Sequence, residues 1–439
     1  MFGSLGIYNY RLYASGQIIS LIGVWMQRVA QDWLVLELTN GSPVALGIAA
    51  SLQFLPVLLL SMWGGVLADR SDKRKLLLWL ESALGICALA LGLLDVTGVV
   101  ELWHVFVLCF LLGCFSAVET PVRQSFVVEM VGRDSLTNAV AINSMMFNLA
   151  RIVGPAIAGV TIVAIGTGWV FLANAISFVG VVLGIYLMRT SQLLRADPVP
   201  REKGQLLSGL RYVRHRPDLL TVMLLVFFIA TFGMNFYMTL AILARNVFGG
   251  DADAYGLLST LIAVGTFAGA TWATRRRTPR MSVFIGSGVL FGLLEIISGM
   301  MPTMLLTGLM MIPVGIAMMT FNSTANATVQ LAVEPEMRGR VMGIYMLVFL
   351  GGNPIGGPLM GWLGEINGRA PIIVGGIVSV VVTATAWIIL VRRGDIARPR
   401  WRKRPSEAKA EGEARGDGEA ELPLAKKRTG GVGPVTSRG

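Results

Sequence analysis

Two ionisable residues in the first apolar stretch of the sequence have a spacing suited to proton chemistry. Arg28 and Asp32 lie four residues apart, and on a helix this places both side chains on one face, where they can form an ion pair. A charge inside an apolar segment is costly unless it is paired or hydrated. A carboxylate beside an arginine, in a cavity whose hydration changes with conformation, can bind and release a proton in turn. Both residues are therefore candidates for proton coupling; a permanent ion pair that fixes the helix is the alternative.

Arg151 and Glu119 are the other two candidates for proton coupling. Arg151 lies in the middle of a later apolar run, where it can compete for Asp32 or bind an anionic substrate. A structural partner for a buried carbonyl or carboxylate is the alternative role of Arg151. Glu119 precedes Arg123 by four residues near the end of another apolar run. For Glu119 and Arg123 we favour pairing with the Asp69–Arg70 loop as a structural latch over contact with a substrate.

Neutral polar side chains are the candidates for a substrate cavity. An amide that faces lipid is costly because its hydrogen-bonding groups find no partner there, so several amides within the apolar runs should face a central cavity. Aromatic side chains can add apolar walls for an amphipathic substrate, although helix packing is their commoner role. The candidates are Gln27, Gln31, Gln53, Asn148, Asn235, Asn322 and Phe236, and a wider set adds Asn143, Asn174, Asn326, Trp25, Trp33, Phe54, Phe147 and Phe232.

The sequence offers no pattern for metal, cofactor or catalytic chemistry. Its three cysteines, Cys87, Cys109 and Cys114, lie in apolar runs without metal-binding spacing or a disulfide framework. A nucleotide-binding glycine loop is absent, so ATP is not the expected fuel. A membrane-embedded enzyme would need paired carboxylates or a histidine cluster, and neither of the two histidines is central. We therefore predict no metal, no cofactor and no catalytic residue.

The composition places these residues in a membrane protein. The chain has 439 residues, of which 54% are hydrophobic and only 14% charged, against about 25% charged in a typical soluble domain. Its mean hydropathy is +0.66, which excludes a soluble enzyme because so much apolar surface cannot all be buried within soluble domains. The net charge of +11 does not indicate nucleic-acid binding, since the basic residues lie mainly between the apolar runs and in the tail.

Apolar runs and polar breaks predict an all-α polytopic protein with twelve membrane spans. Connections near 70–75, 189–216 and 275–280 are rich in Lys and Arg, whereas 38–43 and 96–103 contain neither. Basic loops at every second crossing mark the cytoplasmic side, so both termini are predicted to be cytoplasmic. The predicted spans are 15–37, 44–67, 76–95, 103–122, 138–164, 168–189, 219–244, 255–274, 281–300, 304–325, 340–363 and 371–391.

The longest internal connection divides the chain into two sets of six spans. We predict an N-terminal six-helix bundle at 1–189, a cytoplasmic linker at 190–218 and a C-terminal six-helix bundle at 219–392. Within the linker, 204–212 can form a short interfacial helix. The tail at 393–439 is rich in Arg, Lys, Glu, Gly and Pro. Its composition predicts disorder near the inner leaflet, because it cannot bury enough apolar surface to fold.

A glycine–proline pattern in the fifth span recurs in the eleventh, which predicts two pseudo-symmetric halves. Glycine and proline within a span permit a bend or a close approach between helices. Their general frequency in membrane helices is the alternative explanation. The first copy consists of Gly154, Pro155 and Gly159, and the second consists of Gly357, Pro358 and Gly361.

The loop after the second span carries the most specific motif. It runs from Gly65 through Asp69 and Arg70 to the basic residue Arg74. An aspartate here can meet an arginine or the positive end of a helix and act as an electrostatic latch, with Arg123 as a further member. The motif resembles the signature loop of the major facilitator superfamily, except that Asp72 replaces its second glycine.

Further motifs extend the resemblance over about 5–395. The fifth-span motif around Gly154-Pro155 is similar to that of the exporter branch, and the first span, Gly23 to Leu34, resembles the branch of enterobactin exporters and macrolide-efflux proteins. The arginine signature that drug–proton antiporters carry in the fourth span is absent. In this superfamily the third and ninth spans are peripheral, so the resemblance favours a structural or lipid-facing role for Glu81 and Glu295.

The resemblance implies a function in transport. We expect a monomeric secondary transporter in a bacterial cell membrane that binds a small-molecule substrate and protons and has no nucleic-acid partner. It would export a small amphipathic molecule, such as a siderophore, macrolide or other drug-like compound, by proton antiport with alternating access. An importer or facilitator of a nutrient is the first alternative, since only the fifth-span motif indicates direction. A membrane-embedded enzyme or sensor is the remote alternative.

Overall fold

The computed structural model describes residues 3–194, 205–275 and 279–393. Residues up to Ile388 form one compact unit, and of the second unit, which starts at Ile389, only the end of the last helix is described. The predicted disordered tail and the middle of the predicted linker lie outside the described residues.

Helices account for all the regular structure within the described residues, which confirms the all-α prediction. The helices that position the candidate residues are α1 to α5, which precede the linker, and α7 to α13, which follow it. Short 3₁₀ turns lie at Gly3–Gly6 and Thr190–Gln192, and a π-helical turn at Leu243–Val247 continues α8. The helices are α1 Tyr8–Leu38, α2 Pro43–Arg70, α3 Lys73–Val96, α4 Leu102–Ile165, α5 Thr167–Tyr186, α6 Gln205–Arg214, α7 Pro217–Phe232, α8 Phe236–Ile242, α9 Ala252–Ala273, α10 Met281–Met300, α11 Met304–Ala332, α12 Pro335–Ile366 and α13 Ala370–Arg393.

Ten helical segments in the described residues are long and apolar enough to cross a membrane. The helix α1 is not among them, because polar side chains such as Asn9, Gln17 and Gln31 lower its hydropathy and are buried inside the protein. The predicted linker helix exists as α6. Every predicted span falls on helical segments, although α4 contains two of the predicted spans and the predicted span 219–244 covers α7, a break at 233–235 and α8.

A single glycine divides α4. Gly132 has φ 71° and ψ 174°, a non-helical conformation inside an otherwise continuous run of 64 residues. A side chain with a Cβ rarely adopts this backbone conformation, so glycine suits the break. At about 1.5 Å per residue the run is far longer than the roughly 30 Å of a bilayer core. The segments on either side of Gly132 contain the predicted fourth and fifth spans.

Capped turns reverse the chain between successive helices. Between α1 and α2, Asn40 and Gly41 adopt positive φ values of 51° and 90°, and the hydroxyl of Ser42 accepts a hydrogen bond from the Ala45 amide at 3.4 Å. Between α2 and α3, the carboxylate of Asp72 accepts one from the Lys75 amide at 3.2 Å. We call the corresponding ends of the helix bundle the Asn40 end and the Asp72 end.

Glycines bring the helices before and after the linker into close contact toward the Asn40 end. A Cβ on Gly47 would collide with the backbone of Gly357, and one on Gly256 would collide with Pro155 and Gly159. Gly361 packs in the same way on Pro43. The backbone of α4 and α12 remains helical at both glycine–proline motifs. Close approach between helices is therefore the observed role of Gly159, Gly357 and Gly361.

Candidate functional site

A cavity of about 380 Å³ lies among the five helices that precede the linker. Its wall combines amides, ionisable groups and aromatic rings, which is typical of sites that orient an amphipathic ligand. The lining residues are Gln17, Ser20, Leu21, Val24, Trp25, Gln27, Arg28, Gln31, Gln53, Phe54, Glu81, Leu84, Leu112, Ser116, Glu119, Thr120, Arg123, Phe147, Asn174 and Phe178.

Four of the predicted cavity amides, Gln27, Gln31, Gln53 and Asn174, lie on this wall and are linked by hydrogen bonds. Asn174 donates to the Gln27 carbonyl oxygen at 2.5 Å. Gln31 donates to Gln53 at 3.3 Å, and Arg28 donates to the same Gln53 oxygen at 3.4 Å. The helices α1, α2 and α5 are thus joined by a polar network that a ligand can enter. Because every amide side chain here has both donors and an acceptor, the wall can bind ligand groups that accept hydrogen bonds and ligand groups that donate them.

The predicted Arg28–Asp32 pair forms, and it connects α1 to helices beyond the linker. Arg28 Nε lies 3.8 Å from Asp32 Oδ2, and the buried Asp32 also accepts a hydrogen bond from the Tyr255 hydroxyl at 2.8 Å. The guanidinium of Arg28 lies over the rings of Phe54 and Tyr237, at 5.1 Å and 5.5 Å from their centroids. Asp32 is therefore held between a cation on its own helix and a phenol on α9.

Arg151 does not approach Asp32 in this conformation. Its guanidinium donates to Asn148 at 3.1 Å and to the hydroxyl of Thr266, and it lies 5.9 Å from the ring centroid of Phe147. Among the described residues no acidic side chain pairs with Arg151. It remains a candidate partner for an anion, and competition with Arg28 for Asp32 remains a prediction.

Glu119 and Arg123 form an ion pair on the cavity wall. Arg123 Nε lies 2.5 Å from Glu119 Oε1, and Thr120 donates to the other carboxylate oxygen at 3.3 Å. Sequence reasoning favoured a place in the latch for both, and their position on the cavity wall was not predicted. Glu81 lies on the same wall and is only 3% exposed.

The lipid-facing alternative is wrong for Glu81 and Glu295. Glu295 is 1% exposed and one of its carboxylate oxygens has no hydrogen-bond partner. Both side chains are therefore buried within the protein rather than exposed on its surface, and a buried polar group without a hydrogen-bond partner is costly. The position of Glu81 on the cavity wall was not predicted, although an acid within an otherwise apolar run is a signal for a buried polar site.

Four of the seven principal cavity candidates lie away from the cavity, as do Asn143, Asn326, Trp33 and Phe232 of the wider set. Asn148 donates to the Ser144 carbonyl. Asn235 donates to the Thr231 carbonyl beside the break between α7 and α8. The remaining two are Asn322, which contacts the sulfur of Met234, and Phe236, which is buried against Phe291.

The basic loop at the Asp72 end contacts other helices that precede the linker. Arg74 donates to the carbonyls of Ile185 and Tyr186 at 3.1 Å and 2.8 Å, at the end of α5. Lys73 pairs with Glu129 at 2.6 Å. Gly65 and Asp69 are half-buried and Arg70 is exposed. These contacts hold the loop in place, and the function of the loop as a conformational latch remains a prediction.

Comparison with protein families settles the class of the molecule. The family model described as "Transmembrane secretion effector", a family of the major facilitator superfamily, matches residues 3–408. The chain belongs to this family. It is therefore a major facilitator superfamily transporter and not an enzyme, as predicted.

Relatives of this transporter come from several bacteria. The staphyloferrin A transporter of Staphylococcus aureus is 26% identical over 370 residues, which cover 82% of this chain and 90% of the relative. The enterobactin exporter of Citrobacter koseri is 24% identical over 402 residues, covering 89% of this chain and 93% of the relative. With the ten apolar segments, these similarities confirm a multi-pass protein of a bacterial cell membrane.

Solved structures support the same fold. A transporter of the POT family in complex with 5-aminolevulinic acid has a TM-score of 0.69 at 14% identity, over 90% of this chain and 96% of the other. A bacterial homologue of the human lysosomal transporter Spinster has a TM-score of 0.65 at 18% identity, over 89% and 99%. At such identities the likeness concerns the fold alone.

Proposed function

We propose that this transporter exports a small amphipathic molecule of the siderophore class in exchange for protons. The observation that carries the proposal is the cavity among α1 to α5, whose amides and rings suit such a molecule, in a chain with relatives named for siderophore transport. At about 380 Å³ the cavity is in the usual range for small ligands. One chain encloses it, so a monomer is sufficient for binding.

Twelve spans are consistent with the ten apolar segments. The break at Gly132 divides α4 into two spans, and α1 adds one because its polar side chains face inward rather than toward lipid. Basic residues concentrate at the Asp72 end, among them Arg70, Lys73 and Arg74. The positive-inside rule therefore favours a cytoplasmic Asp72 end, which is also where α1 begins.

Alternating access would separate the halves where they now touch. Near the Asn40 end, Gly47 meets Gly357 and Gly159 meets Gly256, while Asp32 accepts a hydrogen bond from Tyr255. With the Asn40 end outside, these contacts close the outer side. Opening to the outside must break them, so the Asp32–Tyr255 hydrogen bond would change with conformation. A carboxylate that loses a donor and gains water is suited to couple proton transfer to that change.

Transport by everted membrane vesicles tests the proposal. With protons pumped into vesicles that contain the protein, we expect enterobactin, used as the probe, to accumulate inside. Staphyloferrin A and erythromycin serve as further probes. Collapse of the proton gradient by a protonophore should abolish the accumulation, because no other energy source is available to an antiporter. Equal accumulation with and without the gradient would contradict proton coupling.

Substitution of Gly47 tests the closure at the Asn40 end. Leucine at this position would overlap the Gly357 backbone, and overpacking of this kind costs about 1–3 kcal/mol. We expect Gly47→Leu to lower the rate of export roughly tenfold at an unchanged amount of protein in the membrane. Gly286→Leu is the matched control, since no atom lies within 4 Å of a Cβ at Gly286. Equal rates in the two variants would refute the closure.

A further inference from the structure

Two carboxyl groups and one guanidinium lie on the wall of the same cavity. Glu81 on α3 and Glu119 and Arg123 on α4 all line it, close enough for their charges to interact. Glu119 already has Arg123 as its ion-pair partner at 2.5 Å. Glu81 is 3% exposed, yet among the described residues it makes no hydrogen bond and no ion pair. It is thus a buried acid without a partner on the wall of a cavity.

The neighbouring helix α1 adds two further polar atoms without partners. The amide oxygen of Gln17 is buried and accepts no hydrogen bond, and the buried hydroxyl of Tyr13 lies near Arg123 without a well-aligned hydrogen bond. Tyr13 interacts electrostatically with all three charged residues of the cluster. On the cavity wall, α5 contributes Asn174 and Phe178, and α2 contributes Gln53 and Phe54, none of which titrates. Tyr13, Glu81, Glu119 and Arg123 are therefore the titratable groups of this cluster, and Arg28, which pairs with Asp32, is the further charged residue on the cavity wall.

The charges of this cluster do not balance unless one proton is bound. The guanidinium of Arg123 stays charged at any physiological pH and neutralises one carboxylate. A second carboxylate in the same apolar surroundings would leave an unpaired negative charge, which is strongly unfavourable inside a membrane protein. Two carboxyl groups that share one site are known to hold a proton between them for this reason.

We infer that Glu81 and Glu119 form a proton-binding site that exchanges with the water of the cavity. On deprotonation the O–H bond of a carboxyl group breaks, the proton passes to cavity water, and both carboxylates then share Arg123. The site is separate from Asp32, since Gln17 and Asp32 are about 22 Å apart along α1. Proton binding at this site does not depend on the proposed function. Only its role in transport rests on that function, and there the site supplies a second coupling proton within the substrate cavity.

Infrared difference spectroscopy of the full-length protein in lipid vesicles tests the site without a transport substrate. Protonated carboxyl groups have a C=O stretching band that disappears when the proton leaves. We expect the wild type to lose such a band as the pH rises, and Glu81→Gln to lack this titrating band. Glu119→Gln should lack it too, because Arg123 is then available to Glu81 alone. Glu295→Gln is the matched control, a buried acid outside the cavity, and should retain the band.

A titrating band that persists in Glu81→Gln, or one that disappears in Glu295→Gln, would overturn the inference. Persistence in Glu119→Gln alone would show that Arg123 is not shared, which also overturns it. Circular dichroism of each variant verifies that the helices are intact. Since no transport is measured, failure of this site leaves the proposed export untouched, and failure of export in vesicles leaves the proton-binding site intact.

Discussion

Replacement of Asp32 by asparagine is expected to abolish export driven by a proton gradient. The substitution preserves the size of the side chain and its capacity to accept a hydrogen bond from Tyr255, so the protein should fold and insert normally. It removes the group that can take up and release a proton, and it leaves Arg28 without its ion-pair partner at 3.8 Å. In everted vesicles, accumulation of the probe should fall to the level of vesicles without the transporter.

The control for this prediction is Asp95→Asn. Asp95 lies at the end of α3 and accepts a hydrogen bond from Thr167, away from the cavity lining. We expect this variant to export at close to the wild-type rate. Exchange of labelled for unlabelled probe without a gradient should survive in Asp32→Asn, because substrate binding does not need the carboxylate. Full gradient-driven export by Asp32→Asn would place the coupling proton elsewhere, with the cluster at Glu119 as the next site.

Removal of Arg123 is expected to be the most destabilising single change in the cavity. Arg123 pairs with Glu119 and lies on the same cavity wall as Glu81. Arg123→Leu leaves two buried acids without a positive partner, and loss of one member of a buried pair costs about 3–5 kcal/mol. Since the Arg123 side chain is 26% exposed, water screens part of the charge, and the lower end of that range applies. The melting temperature in detergent should fall by roughly 5 °C.

A second substitution separates charge from packing. In Arg123→Leu combined with Glu119→Gln, the carboxylate that lost its ion-pair partner is removed as well, and we expect the double variant to regain about half of the lost stability. If packing of the arginine stem were the cause, the second change would restore nothing. Melting temperatures of the single and double variants distinguish these outcomes, and Arg70→Leu, an exposed residue of the neighbouring loop, serves as the control.

Local periodicity was sufficient for the helices and for the first ion pair. Arg28 and Asp32 lie on one face because they are four residues apart, and no distant contact is needed to bring them together. The apolar runs likewise predicted helices at every proposed span. The length of α4 was not predictable in this way, since the residues between 122 and 138 are helical on both sides of Gly132 and carry no strong turn signal.

Contacts between distant helices determine the rest of the site, and sequence spacing does not reveal them. Tyr255, on a helix after the linker, donates to Asp32 on a helix before it, and Glu81 lines the same cavity as Glu119 because α3 packs on α4. Which face of a membrane helix points inward depends on its neighbours, so polar residues are ambiguous. Gln27 and Asn148 are both amides in apolar runs, yet only Gln27 lines the cavity.

Mass spectrometry of culture medium and cell extract is the most direct test of export. Cells of the native host that lack the gene are compared with the same cells carrying the gene again. We predict a small amphipathic compound that is depleted from the medium of the deletion strain and retained inside its cells, and that returns to the medium on complementation. If no compound behaves in this way, and a component of the medium instead remains unconsumed in the deletion strain, the protein is an importer and export is refuted.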